Sequence, residues 1–105
     1  MKVQFFELLR QKFSERKYIV TLHAYNEASE EGLEIAEVRK AIIAGEVIED
    51  YPEDARGHSC LVLGWIGNIP IHSVCGFKEE EAILITVYVP DSEKWIDLKV
   101  RRRSE

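Results

Sequence analysis

The chain has 105 residues, 46% of them hydrophobic, which suits one domain with one modest core and excludes an intrinsically disordered polymer. No apolar run reaches the roughly 20 residues needed to cross a bilayer, so no membrane partner is expected. The formal net charge of −5 excludes a global basic field for nucleic acid but leaves room for a local basic patch.

The first four residues lead into a charged amphipathic segment without a small-residue cleavage site, so a secretory signal is not expected. Phe5 to Phe13 reads as a helix. Phe5, Phe6, Leu8, Leu9 and Phe13 make an apolar stripe, and Glu7, Arg10, Gln11 and Lys12 face water. That stripe can cover a sheet or meet a second copy in a homodimer. Tyr18 to Leu22 is a short strand, and His23-Ala24-Tyr25-Asn26 leads into a second helix ending near Gly32, where a positive φ is cheap. A third helix runs from about Ile35 to Ala44, with Ile35, Val38 and Ile42 on one face and Glu34 and Glu37 in its first turn. Gly45 closes it.

Val47 begins a strand that reaches Tyr51, and Pro52 to Gly57 make a polar connection. The stretch from Cys60 to Val89 is the centre of the chain, rich in β-branched and aromatic residues. Gly67-Asn68 breaks it once as a tight turn, which puts Ile66 opposite Ile69 and Leu63 opposite His72. Lys78-Glu79-Glu80-Glu81 breaks it again. A turn centred on Glu79 places His72 opposite Thr86, with Tyr88 one pleat further on the same face. In that register Ile69, Ile71, Cys75, Ile83, Ile85 and Val87 line an apolar face for the helices. Leu61, Leu63, Trp65, Pro70, His72, Val74, Leu84, Thr86 and Tyr88 line a mixed face, a groove floor or a subunit contact. Pro90-Asp91-Ser92 ends the last strand. Trp95, Ile96, Leu98 and Val100 suggest a final segment that still packs, followed by a basic, mobile tail. The expected fold is α+β, two or three helices on an antiparallel sheet of four or five strands.

Chemistry points first to His23 and His72. Imidazole exchanges protons near neutrality, and Tyr88 can donate a hydrogen bond to an oxyanion. The plainer reading makes both histidines buried structural residues, each hydrogen-bonded to backbone or to Tyr88. A metal-independent ribonuclease needs a base, an acid and cations around the scissile phosphate, with Arg39 or Arg56 as candidates to hold it. The residues from Glu27 to Asp54 oppose this, because they carry most of the acid with only Arg39 and Lys40 as basic relief. That run reads as a solvated helix face or as a docking face for a basic partner. No cofactor or metal is expected. There is no CxxC pair and no HExxH motif, and His72 and Cys75 fall on opposite strand faces. Cys60 and Cys75 read as free thiols in a reducing cytoplasm more readily than as a disulfide.

Taken in order, Leu22-His23-Ala24, Gly32 to Val38, Ala44 to Pro52, Cys60 to Gly64, Pro70-Ile71-His72, Ile85 to Tyr88 and Pro90 to Trp95 resemble the domain-of-unknown-function family numbered 4258. The resemblance spans about Thr21 to Trp95. It implies a single domain over 1–105, with a family-like core 21–95 and a basic C-terminal tail 99–105. The family is commonly grouped with RelE/ParE/BrnT-like toxins, small α+β proteins that include ribonucleases cleaving messenger RNA. By resemblance, His23, His72, Tyr88 and the Gly45-Glu46 corner are the matching positions, and an antitoxin or other protein partner is expected, with RNA as a candidate substrate. The pattern departs at Tyr25 to Gly32, where acids stand in place of the arginines that family members often carry. The alternative is a non-enzymatic interaction module that binds through its acidic helix face or its mixed sheet face.

Overall fold

A computed structural model describes residues 2–102. Among these residues three helices and a five-stranded mixed sheet form an α+β fold, followed by a two-stranded ribbon. The elements are α1 (Lys2–Ser14), β1 (Tyr18–Val20), α2 (Leu22–Glu30), α3 (Ile35–Ile43), β2 (Glu46–Tyr51), β3 (Ser59–Ile66), β4 (Ile69–Lys78), β5 (Glu81–Tyr88), β6 (Trp95–Ile96) and β7 (Val100–Arg101). The sheet order is β1-β5-β4-β3-β2. β2 to β5 pair antiparallel as expected, while β1 joins β5 in parallel, because α2, α3 and three strands intervene before β5 returns beside it. No helix among the described residues is long and apolar enough to cross a membrane.

The helices cover one face. Phe6, Leu9 and Phe13 of α1, Ala24 and Ala28 of α2, and Val38, Ala41 and Ile42 of α3 pack on Cys60, Val62, Ile71, Cys75, Ala82, Leu84 and Val87. Leu8 departs from the expected stripe and faces solvent, since the buried positions of α1 follow the 6, 9, 13 spacing. Thr21 caps α2 by accepting from Ala24 N–H at 3.0 Å. Gly32 ends the α2 turn at φ 71°, the expected positive value.

Gly67 takes φ 61° at the β3–β4 turn, and Leu63 pairs with His72 as the sequence indicates. The same register sets Cys60 directly opposite Cys75, both free and buried. The β4–β5 pairing differs from expectation by two residues. Its turn is Glu79-Glu80, with Lys78 paired to Glu81, and a bulge between Val74 and Cys75 leaves Ile85 without a ladder partner. His72 therefore lies opposite Tyr88 and Val74 opposite Thr86. On the turn side of the bulge the faces exchange, so Leu84 enters the core in place of Ile83.

The opposite face is not an open groove at its centre. Residues 95–101 fold back over it as a short strap. Trp95 is buried, and Leu61, Leu63 and His72 lie sealed on the sheet. Lys99 reaches Glu46 at 3.0 Å and Arg101 reaches Glu49 at 3.0 Å, which pins the strap to β2. Arg102 donates to the Ser92 carbonyl at 2.9 Å. The expectation of a mobile tail is thus corrected for Arg101 and Arg102; its remaining residues, 103–105, lie outside the described residues.

Candidate functional site

His72 projects from the middle of β4 toward the strap and is 0% exposed. Its Nε2 lies 2.7 Å from the Leu98 carbonyl oxygen. A carbonyl only accepts, so Nε2 carries the proton and Nδ1 is left to accept from the Tyr88 hydroxyl at 3.2 Å. Trp95 meets the imidazole edge-on at 4.4 Å between ring centres. Burial holds the His72 pKa below its ordinary value, against the opposing pull of the Leu98 hydrogen bond, so the ring is neutral at pH 7. Both nitrogens are engaged and neither reaches solvent.

The Leu98 carbonyl is aimed at His72 by an unusual turn. Asp97 and Leu98 both adopt positive φ, 52° and 68°, and Lys99 N–H closes on the Ile96 carbonyl at 3.0 Å. A bulky leucine seldom takes this conformation. The buried hydrogen bond to His72 and the two flanking ion pairs hold it there.

Tyr88 is half-buried and lines a cleft of about 390 Å³ with Lys94, Trp95, Asp91 and Arg101. Burial raises the Tyr88 pKa, so the phenol stays protonated. Arg101 is committed to Glu49, lies 4.7 Å above the Trp95 ring centre, and donates toward the Tyr51 hydroxyl. Tyr51 in turn donates to Glu49, and burial pushes its own pKa up to about 12. Lys94 makes no ion pair among the described residues. The cleft therefore offers one unengaged cation and one phenol above a sealed imidazole.

His23 stands elsewhere. It lies in the first turn of α2, 67% exposed, with its Nε2 3.2 Å from Glu27. Glu27 also accepts from Val87 N–H at 3.0 Å, which satisfies the edge of β5 beyond the end of β1. His23 and His72 thus share no partner. The two arginines considered for phosphate are also committed. Arg39 caps the C-terminus of α1 through the Phe13 and Ser14 carbonyls at 2.7 and 3.0 Å, and Arg56 is chelated by Asp54. Burial pushes the Cys60 thiol up to about 12 and raises Cys75 as well, so neither is a nucleophile at neutral pH. Among the described residues no group of three or more His, Cys, Asp or Glu side chains is placed to hold a metal. The ring of Glu49, Tyr51 and Arg101 about the strap escaped the sequence reading, because its members come from opposite ends of the chain and follow no periodicity.

Helices on one face of a mixed sheet and a strap pinned across the other define a small α+β domain with a sealed histidine at its centre. Residues 20–89 match the family described as Domain of unknown function (DUF4258), and the chain belongs to that family. No curated protein and no solved structure matches it.

Proposed function

We propose that the chain is a non-enzymatic interaction module, working in the cytoplasm, whose binding face is the acidic corner formed by α2 and the start of α3. The observation that carries this reading is the exposure of Leu22 and Tyr25, 74% and 58%, on a helix flanked by exposed acids. Large apolar side chains at one helical spacing are usually turned inward, and α2 already turns Ala24 and Ala28 inward. Tyr25 borders a hollow of about 330 Å³ with Leu33, Glu34 and Ile35. Glu30, Glu31 and Glu34 are exposed and make no ion pair among the described residues. An aromatic anchor beside a hollow and a run of carboxylates suits a partner segment that carries lysines or arginines around one apolar residue. The strap covers the centre of the mixed sheet face, whereas this corner stays open to a partner.

A second reading, a RelE/BrnT-like metal-independent ribonuclease toxin, draws on one specific feature: Tyr88, Lys94 and Arg101 share one open cleft. It stands second because His72 could take a proton only through Tyr88, and because Glu49 already neutralises Arg101.

Binding and cleavage measurements separate the two. A fluorescent amphipathic peptide of lysine and leucine is expected to bind, while its glutamate counterpart does not, and the affinity is expected to fall as salt rises above about 0.15 M. Tyr25→Ala, or Glu30→Lys with Glu31→Lys, is expected to weaken binding about tenfold, the range of an interface anchor. RNA is expected to remain intact. Equal binding of both peptides would overturn the module reading, and RNA cleavage by wild type but not by Tyr88→Phe would replace it with the second.

A further inference from the structure

We infer that the hollow beside the β4–β5 turn is a binding site for a small aliphatic carboxylate. The hollow has a volume of about 330 Å³, shares no lining residue with the strap and meets α2 only at its N-cap, Thr21. Its apolar lining comes from Phe77, Ile83 and Ile85, each only half-buried. The bulge in β5 creates this lining, because Ile85 has no ladder partner and lies over Gly76. A Cβ at Gly76 would come within 3.0 Å of the His58 carbonyl and 3.7 Å of Ile85 Cδ1, so glycine keeps the floor low and the loop close.

The wall is rigid. The His58 ring stacks on Phe5 at 3.6 Å between centres, and its Nε2 lies 2.6 Å from Asp50. In a chain of net charge −5, none of the described residues lining this hollow is a carboxylate. Two permanent cations, Arg56 and Lys78, stand at its edge instead. Asp54 grips Arg56 through both of its oxygens, while Lys78 makes no ion pair among the described residues, although Glu81 lies opposite it in the ladder. Apolar lining with few placed polar groups is the usual build of a small-molecule site. The Thr21 hydroxyl also lines the hollow but is spent on the Ile85 carbonyl and the Ala24 N–H, and the permanent charges of the lining are both positive, so the occupant carries a hydrocarbon tail toward Ile83 and Ile85 and an anionic head toward Lys78.

Octanoate, octanol and octylamine titrated into the full chain test this by amide chemical shifts. Octanoate is expected to move Gly57, Gly76 and Lys78 saturably, with octanol at least tenfold weaker and octylamine without effect. Ile83→Trp, which fills the hollow, is expected to abolish the response. Lys78→Ala, an exposed position that leaves the fold intact, is expected to weaken it about threefold, the range of one exposed ion pair. No saturable shift with octanoate, equal binding of octanol, or an unchanged response in Lys78→Ala would each overturn the assignment. Binding by octylamine in place of octanoate would overturn it as well.

Discussion

Gly64→Ala is expected to destabilise the domain by at least about 3 kcal/mol, the upper range of overpacking a core. A Cβ on Gly64 would lie 2.3 Å from the Ala41 carbonyl oxygen and 2.8 Å from the carbonyl carbon. Both atoms are backbone of α3, so no rotamer change relieves the contact. The helix must lift from β3, and Val38, Ala41 and Ile42 would leave the core with it. Gly45 makes the matching close approach, with the Leu63 carbonyl oxygen 2.6 Å from its added Cβ. Urea unfolding of Gly64→Ala, alone and with Ala41→Gly, separates the causes. Trimming the Ala41 side chain is expected to restore nothing, because the clash is with its carbonyl. Gly67→Ala offers the contrast, with open space but φ 61°, and is expected to cost about 1 kcal/mol from backbone strain alone. A Gly64→Ala protein within about 1 kcal/mol of wild type would mean that α3 sits less tightly on the sheet than this packing requires.

These two glycines explain how the resemblance works physically. Gly45 and Gly64 fall in the stretches that carry it, and both are required by the approach of α3 to β3 rather than by turn conformation. Helices and strands were legible because each repeats its apolar residues at its own period. The β3–β4 register was legible because Gly67-Asn68 marks its turn chemically. The β4–β5 register was not. Its turn is built from Glu79-Glu80 with no glycine, Glu79 takes the positive φ itself, and the bulge at Ile85 leaves no mark in composition. One residue of turn and one of bulge add to an even shift, so His72 and Tyr88 stay on one face while their pairing changes. The strap was legible only as a segment that packs. Its seat depends on ion pairs to Glu46 and Glu49, half the chain away, and on a turn through Asp97 and Leu98 that neither residue announces. Reading His72 as exposed chemistry or as buried structure turned on that seat.

His72→Phe is expected to cost about 1–3 kcal/mol, although it keeps most of the ring volume, because it strips the Leu98 carbonyl and the Tyr88 hydroxyl of their partner. His72→Ala adds a cavity under Trp95 and is expected to cost more, about 2–4 kcal/mol. The pH dependence identifies the imidazole as the cause. Burial lowers the folded His72 pKa below its ordinary 6.5, while the unfolded chain titrates near that value. Below about pH 6.5 the unfolded chain takes a proton that the folded chain refuses. The stability from keeping His72 neutral is therefore fully present above that pH and is lost as pH falls through 6.5 toward the lowered folded value. Its slope cannot exceed about 1.4 kcal/mol per pH unit for one proton. Glu49 favours the charged ring and Arg101 opposes it, so the two members of the strap's own ion pair act in opposite directions at this position. Asp54 is held well below the ordinary carboxylate range by Arg56, so its loss begins at lower pH. Urea unfolding at half-unit steps from about pH 5 to 6.5, followed by tryptophan emission, is expected to slope more steeply in wild type than in His72→Phe, and the difference isolates His72 from the His23–Glu27 and His58–Asp50 pairs that both proteins keep. An identical slope in both proteins would assign the titration to another group and reduce His72 to a shape that fills the space beneath the strap.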